Sequence, residues 1–120
     1  MAVQQDFESE PQSAQAVRRF VEDALAGAPS LDDVVLAASE FAANVIRHAQ
    51  TPFTVRLDTD EDRVRLEVSD GSSIIPAVED ISESYRGLRM IEAISSRWGV
   101  EATRSGKTVW AEFSSPGGRG

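Results

Sequence analysis

Apolar and polar residues alternate strictly in two neighbouring segments, Phe53–Leu57 and Val64–Val68. Alternation with a period of two is typical of a strand that buries one face and exposes the other. The acidic stretch Asp58–Asp62 lies between the segments and suits a hairpin turn. A calcium loop is the alternative, but the stretch lacks the glycine and the later glutamate of that motif. The two segments therefore predict an antiparallel hairpin with one buried face.

Two segments before the hairpin have apolar residues at helical spacing. Ser13 is predicted to cap the first helix, and Gly27 to end it. Ser30, with Asp33 three residues later, indicates a capping box at the start of the second helix. Thr51–Pro52 stops that helix, because a residue before proline is pushed out of the helical region. The apolar stripes consist of Val17, Phe20, Val21, Ala24 and Leu25 in the first helix, and of Leu31, Val34, Val35, Ala38, Ala42, Val45 and Ala49 in the second.

Weaker patterns towards the two ends of the chain complete the predicted fold. Val3–Ser9 is a weak strand candidate, and Leu88–Trp98 has the apolar spacing of a third helix, ended at Gly99. Val100–Arg104 and Lys107–Ser114 are interpreted as two final strands that form a hairpin. The order β-α-α-β-β-loop-α-β-β predicts the α+β class, a two-layer sandwich of three helices on a mostly antiparallel mixed sheet.

Length and charge limit the classes of function. The chain has 120 residues, a net charge of -8, no cysteine and a single histidine, His48. The acidic charge opposes binding to nucleic acid, and the composition excludes disulfides, thiolate metal sites and multi-histidine metal sites. The sequence has no apolar run of membrane-spanning length and no signal-peptide pattern at its N-terminus. We expect one domain over residues 1–115, a disordered tail over 116–120, and a cytoplasmic protein whose partner is a protein or a small molecule.

Three polar residues of the second predicted helix, Glu40, Asn44 and His48, recur every four positions. This spacing stacks them in one row on the helix surface. A carboxylate one turn from an amide oxygen suits a general base beside a ligand of Mg²⁺, which prefers oxygen. A solvated polar face is the alternative, and the spacing alone favours it.

Three short motifs contain glycine. Asp70–Gly71 follows the second strand of the hairpin, where the carboxylate can accept hydrogen bonds from an adenine amino group and a water, although a plain turn is the alternative. Gly87 opens the third helix, whose free backbone N–H groups can bind phosphate. Gly106–Thr108 has the ending of a P-loop, but the first glycine of that motif would fall at Glu101 and a strand follows. We therefore interpret it as a hairpin turn.

Taken in order, these motifs resemble those of the Bergerat-fold, or histidine-kinase-like, ATPase domains. The resemblance runs from about residue 7 to residue 113, and the stand-alone length is similar to that of anti-sigma-factor serine kinases of the RsbW type. The matching segments are the N-box helix (Ala38–Ala49), the adenine-binding strand end (Leu66–Ser72), the glycine box with the helix after the ATP lid (Arg86–Ile91 and Trp98–Val100), and the terminal hairpin (Gly106–Trp110).

The resemblance implies ATP and Mg²⁺ as cofactors and a role for each site residue. Glu40 is implied to be the catalytic base that deprotonates a serine of a STAS-domain anti-anti-sigma partner. Asn44 is implied to ligate Mg²⁺ at the phosphates, and Asp70 to bind the adenine amino group. His48 is given a structural role. The other implied nucleotide-binding residues are Gly71, Arg86, Gly87, Leu88 and Thr108, the last of which supports a water beside the adenine.

On this resemblance the chain is an ATP-dependent serine kinase that also binds a sigma factor, and homodimers occur among its relatives. Ser72 and Tyr85 stand where the family has glycines, and the lid between Gly71 and Tyr85 contains no lysine or arginine. These departures favour a second hypothesis, a non-catalytic partner-switching module of the same fold. A third hypothesis is a plain interaction module that shares only the sandwich, because a fold does not determine a function.

Overall fold

The computed structural model describes residues 1–72 and 89–114. The predicted lid, apart from Gly71 and Ser72, and the predicted tail lie outside the described residues. A π-helical turn, Val45–Ala49, continues the second helix. In chain order the elements are strand β1 (Ala2–Phe7), helix α1 (Ser13–Ala24), helix α2 (Leu31–Asn44), strand β2 (Phe53–Thr59), strand β3 (Arg63–Asp70), helix α3 (89–94), strand β4 (Arg97–Ala102) and strand β5 (Lys107–Ser114).

The five strands form one sheet in the order β1-β2-β3-β5-β4, and every neighbouring pair is antiparallel. The predicted hairpin of β2 and β3 is confirmed, with every second residue of both strands buried. In its turn, Oδ1 of Asp60 accepts hydrogen bonds from the backbone N–H groups of Asp62 at 2.8 Å and Arg63 at 2.9 Å. These bonds favour the ionised carboxylate and lower the pKa of Asp60. The acidic stretch is therefore a turn, as predicted.

The helices cover one face of the sheet. Helix α1 packs on α2, β1 and β2, whereas α2 packs on β3 and β5. Burial of the apolar side chains between these layers is the main favourable contribution to folding. This arrangement confirms the predicted α+β sandwich. The buried core consists of Phe7, Val17, Val21, Leu25, Val34, Ala37, Ala38, Phe41, Ala42, Val45, Phe53, Val55, Leu57, Val64, Leu66, Val68, Ile91, Ala111 and Phe113.

Neither predicted helix cap is formed by a side chain. A cap at Ser13 requires the helix to begin at the next residue. Helix α1 instead begins at Ser13 itself, and its N-cap residue is Gln12. Ser30 is the N-cap residue of α2, but its hydroxyl makes no capping bond and is buried without a partner in the described part of the chain. Burial of both serines against the core has taken precedence over the local capping pattern.

The predicted end of the third helix is wrong. Helix α3 ends at residue 94 and β4 begins at Arg97, so Trp98 and Gly99 belong to the strand. A Cβ atom on Gly99 would lie 2.9 Å from the indole of Trp110, so this glycine lets the Trp110 ring lie flat over β4. The apolar spacing from Ile94 to Trp98 fits a helix, but pairing with β5 decides the structure. None of the helices described is long and apolar enough to cross a membrane.

Candidate functional site

Helix α2 presents Glu40 and Asn44 one turn apart, and both are half-buried. Asn44 is the last α-helical residue, after which the helix widens into the π-helical turn. Single π-helical turns within α-helices are frequent at functional sites. His48 lies on this turn and is exposed, so it does not share the environment of the other two residues.

The amide oxygen of Asn44 is buried, and no atom in the described residues donates a hydrogen bond to it. An unpaired buried polar atom costs about 1–3 kcal/mol, so most buried polar atoms have a partner. The oxygen is therefore free to accept a donor or to bind a hard cation. Mg²⁺ prefers oxygen ligands of this kind, so Asn44 fits the metal that the resemblance implies.

Asp70 and Lys107 form a buried ion pair at the end of the β3–β5 ladder, where they are the last cross-strand pair. The Nζ atom of Lys107 lies 3.1 Å from Oδ1 and 3.0 Å from Oδ2 of Asp70. The side chains of Lys107 and Asp70 are only 8% and 1% exposed. The backbone N–H of Ser72 donates another hydrogen bond to Oδ1, at 2.8 Å. The carboxylate assigned to adenine thus holds an ammonium group of its own chain.

Two contacts of glycine residues hold the chain beside this ion pair. A Cβ atom on Gly106 would lie 1.9 Å from the backbone oxygen of Asp70, so only glycine allows the turn before β5 to approach β3 this closely. The backbone N–H of Gly71 donates to Oγ1 of Thr51 at 2.9 Å, which ties the end of β3 to the segment before β2. The first contact keeps the start of β5 against the end of β3, and the second fixes the end of β3 itself.

Thr108 lies on the other face of the sheet. Side chains alternate along β5, so Lys107 points towards the helix layer and Thr108 away from it. The hydroxyls of Thr108 and its cross-strand partner Ser69 are 2.7 Å apart and form a hydrogen bond. The structure therefore brings Lys107, and not Thr108, to the carboxylate of Asp70. No sequence pattern indicates this lysine, because its contact with Asp70 depends on the pairing of β5 with β3 in this register.

The remaining predicted nucleotide-binding residues, Arg86, Gly87 and Leu88, lie outside the described residues, as does Tyr85. Helix α3 is described only from residue 89, so the predicted phosphate site at its N-terminus is not described either. The described part of the candidate site therefore has two components. One is the end of β3 with the start of β5, and the other is the Glu40–Asn44 segment of α2, which packs on the same two strands.

A second charged cluster lies on the outer face of the sheet, around the buried carboxylate of Glu112. Arg65, Arg97 and Arg63 lie 2.8, 2.9 and 3.3 Å from its oxygens. Hydrogen bonds from Arg97 and Arg65 lower the pKa of Glu112, although burial opposes this effect. The guanidinium of Arg65 also lies 4.3 Å from the centroid of the Trp110 ring. The resemblance predicts no function for this cluster, and its groups are paired with one another.

Comparisons with known proteins agree with the fold. No curated protein matches the chain. The crystal structure of the RsbU and RsbW domains of Rv1364c from Mycobacterium tuberculosis is similar, with a TM-score of 0.75 and 23% sequence identity over 97% of this chain. The chain spans 33% of the length of that one. A family model described as "Histidine kinase-like ATPase domain" matches residues 7–113. The chain therefore belongs to the family of histidine kinase-like ATPase domains, and this membership implies that it binds ATP.

Proposed function

We propose that the protein is an ATP-binding anti-sigma regulatory factor with serine kinase activity towards a STAS-domain anti-anti-sigma partner. Family membership supports the binding of ATP, and the likeness in fold to a chain that contains an RsbW domain supports the regulatory class. The observation that carries the kinase proposal is the buried oxygen of Asn44, which has no partner among the described residues and lies one helical turn from the carboxylate of Glu40.

In this proposal Glu40 acts as the base and Asn44 as the metal ligand. Glu40 takes the proton from the serine hydroxyl, whose oxygen forms a bond to the γ-phosphorus while the bond to the β-phosphate oxygen breaks and ADP leaves. Asn44 would hold Mg²⁺, which, when bound, neutralises the charge of the phosphates. Asp70 accepts a hydrogen bond from the adenine amino group at the other end of the site.

The proposed partners are a sigma factor and the STAS-domain protein that competes with it. Bound ATP can alter the choice between them only if it binds one state of the domain more tightly than the other. The resemblance also predicts a homodimer. Light scattering, which measures the mass of the protein in solution, would test this prediction.

A non-catalytic partner-switching module of the same fold is the second candidate function. The observation that favours it is the occupation of the adenine-binding carboxylate by Lys107, together with Ser72 in place of a family glycine. The backbone N–H of Ser72 donates a hydrogen bond to Asp70, and a serine has a Cβ atom that the family glycine lacks. In this case partners would bind the domain, but no phosphate would be transferred.

Phosphate transfer separates the two candidates. Wild type, Glu40→Ala and Asn44→Ala are mixed with γ-labelled ATP and STAS-domain proteins encoded in the same genome, and labelled serine is measured. Glu40→Ala should keep the affinity for ATP within a few-fold while transfer falls by roughly 10²–10⁴, because a base acts mainly in the transition state. Asn44→Ala should lose both transfer and the Mg²⁺ dependence of ATP binding.

Glu22→Ala is the matched control, because it removes an exposed glutamate from α1, which contributes no residue to the candidate site. It should transfer phosphate at the wild-type rate. A wild type that binds ATP and partner but labels no serine would exclude the kinase and leave the non-catalytic switch. A Glu40→Ala variant that loses ATP binding would show that Glu40 belongs to the binding site and is not the base.

A further inference from the structure

We propose that Lys107 is a nucleotide-specificity residue that, together with Asp70, binds the adenine base of the nucleotide through hydrogen bonds. In this arrangement the carboxylate accepts a hydrogen bond from the amino group of the base, and the ammonium donates one to the neighbouring ring nitrogen, N1. The ion pair between the two side chains stays intact. The inference rests on the proposed binding of adenine at Asp70 and adds a residue that the family resemblance does not assign.

Displacement of Lys107 by a nucleotide is physically unfavourable. Its ammonium group is buried with the carboxylate, at 3.0 and 3.1 Å from the two oxygens. Removing one partner of a buried pair leaves an uncompensated charge, which is strongly destabilising. A nucleotide whose adenine displaced Lys107 from Asp70 would lose this free energy from its own affinity. A base that bonds to both members of the pair avoids it.

Both members of the pair have bonding capacity to spare. An ammonium group has three N–H donors, and in the described part of the chain Asp70 is the only acceptor for Lys107. Two contacts to the carboxylate leave at least one donor unused. A carboxylate has about four acceptor positions, of which the Nζ atom of Lys107 and the backbone N–H of Ser72 use three. Among the described residues, the pair therefore retains an N–H donor on Lys107 and an acceptor position on Asp70 that no other group uses.

Adenine has the complementary pair of groups on its Watson–Crick edge. Its N6 amino group is a donor and the adjacent N1 is an acceptor, so one edge can bond to both side chains at once. Guanine presents an acceptor and a donor in the opposite order, O6 followed by N1–H. The ion pair alone does not choose between these edges, but membership of an ATP-binding family favours adenine.

The composition of the chain provides a direct probe, because Lys107 is its only lysine. A protein labelled with ¹⁵N in lysine therefore gives one side-chain resonance. ATP should shift this resonance and slow the exchange of its ammonium protons with water, because a new acceptor contacts them. The analogue 1-deaza-ATP, in which C–H replaces N1, should produce neither change.

The contribution of this contact to affinity is measured by calorimetric titration of wild type with ATP, 1-deaza-ATP and GTP. We expect wild type to bind ATP about 10- to 100-fold more tightly than 1-deaza-ATP, the loss expected for one hydrogen bond to a charged group. Lys107→Met should bind both equally, at the weaker level. Lys107→Gln keeps an N–H donor without the charge, and should recover part of the discrimination. It serves as the second variant if Lys107→Met does not fold.

The outcomes separate the failure of this inference from that of the proposed function. Equal affinity of wild type for ATP and 1-deaza-ATP would show that Lys107 does not bond to N1 and would overturn the inference alone. Tighter ATP binding by Lys107→Met than by wild type would also overturn it, and would identify Lys107 as a competitor for Asp70. Tighter binding of GTP than ATP would overturn the assignment to adenine. A wild type that binds none of these nucleotides would overturn the proposed function, and the inference with it.

Discussion

Two buried carboxylates lie near opposite ends of the β3–β5 ladder, and their surroundings differ. Glu112, on the outer face, is surrounded by three arginines, whereas Asp70, on the helix side, is paired with one lysine. The three guanidiniums supply more donors than Glu112 needs, and Arg65 is also held by Glu67 at 2.8 Å. Hydrogen bonds to Glu67 and Glu112 raise the pKa of Arg65, against the effect of burial.

The comparison teaches how a structural cluster differs from a binding site. Around Glu112 three arginines lie within 3.3 Å of one carboxylate, so the cluster holds β3, β4 and β5 together. Within the described residues, Lys107 beside Asp70 has an N–H donor without an acceptor, and the oxygen of Asn44 on α2 has no partner. Unsatisfied buried groups cost stability, so their presence favours a function.

The largest expected effect is at the Asp70 end of the β3–β5 ladder. Gly106→Ala would place a methyl group 1.9 Å from the backbone oxygen of Asp70, so β5 must move away from β3. We expect a loss of about 3 kcal/mol in the free energy of unfolding, measured with urea, because overpacking of this kind forces backbone shifts. ATP affinity should fall in parallel. Gly71→Ala is the control, because its added methyl group would only make ordinary contacts at 3.5 Å, and its stability should match wild type.

At the other end, Glu112→Gln should reduce stability without reducing ATP binding. The amide keeps the shape of the side chain but loses the charge that bonds Arg65 and Arg97. We expect the free energy of unfolding to fall by about 2 kcal/mol, a value typical of hydrogen bonds between charged groups. ATP affinity should stay within two-fold. A large loss of affinity in a variant that remains folded would remove the distinction between the two carboxylates.

The Glu112 cluster should also make stability depend on pH, with a smaller effect than that of the substitution Glu112→Gln. The pKa of Glu112 is lowered in the folded state, first by the bond from Arg97, so folding favours its ionised form. This stabilisation is complete above the unfolded pKa of about 4.3 and is lost as the pH falls through the folded value. Wild type should therefore lose more stability than Glu112→Gln between about pH 5 and pH 3 in urea unfolding. Parallel curves for the two proteins would contradict the assignment.

The smallest effect is expected for Thr108→Val. This substitution changes only the outer face of β5 and leaves Lys107 on the helix side unchanged. The substitution removes the hydroxyl that bonds to Ser69 on the outer face. We expect a loss of about 1 kcal/mol in stability, as for a neutral hydrogen bond, and an unchanged ATP affinity. A marked loss of ATP affinity in calorimetry would instead support the role beside the adenine that the family resemblance implies for Thr108.

The predictions from sequence are best where a pattern is local. The alternation in Phe53–Leu57 and Val64–Val68 predicts both strands, because the polarity of each side chain indicates whether it lies on the buried or the exposed face. The third helix was extended wrongly to Gly99, because the position of Trp98 depends on pairing with β5. A helical period and a strand can coexist in one short apolar run, and tertiary contacts then decide between them.

The candidate site was predictable only in part. Asp70 is a candidate because it follows a strand, and Glu40 and Asn44 because they are one helical turn apart, but only the family resemblance favours a function for them over a plain turn and a solvated polar face. Lys107 was missed because it lies 37 residues from Asp70 in sequence, and their contact depends on which strands are neighbours and in which register. The same register determines that Thr108 faces outward, which residue type alone does not reveal.

The register of β5 also limits how this site can change over evolution. A one-residue insertion or deletion in the turn before β5 would bring Thr108 to the helix side and send Lys107 outward, because the side-chain period is two. The same slip would expose Phe113 and Ala111, which are buried in the core. The core therefore prevents such a slip, and the ammonium group beside Asp70 can be exchanged only by replacing residue 107 itself. A replacement that removes the ammonium group also leaves the buried carboxylate of Asp70 without its charge partner, so positions 70 and 107 constrain each other.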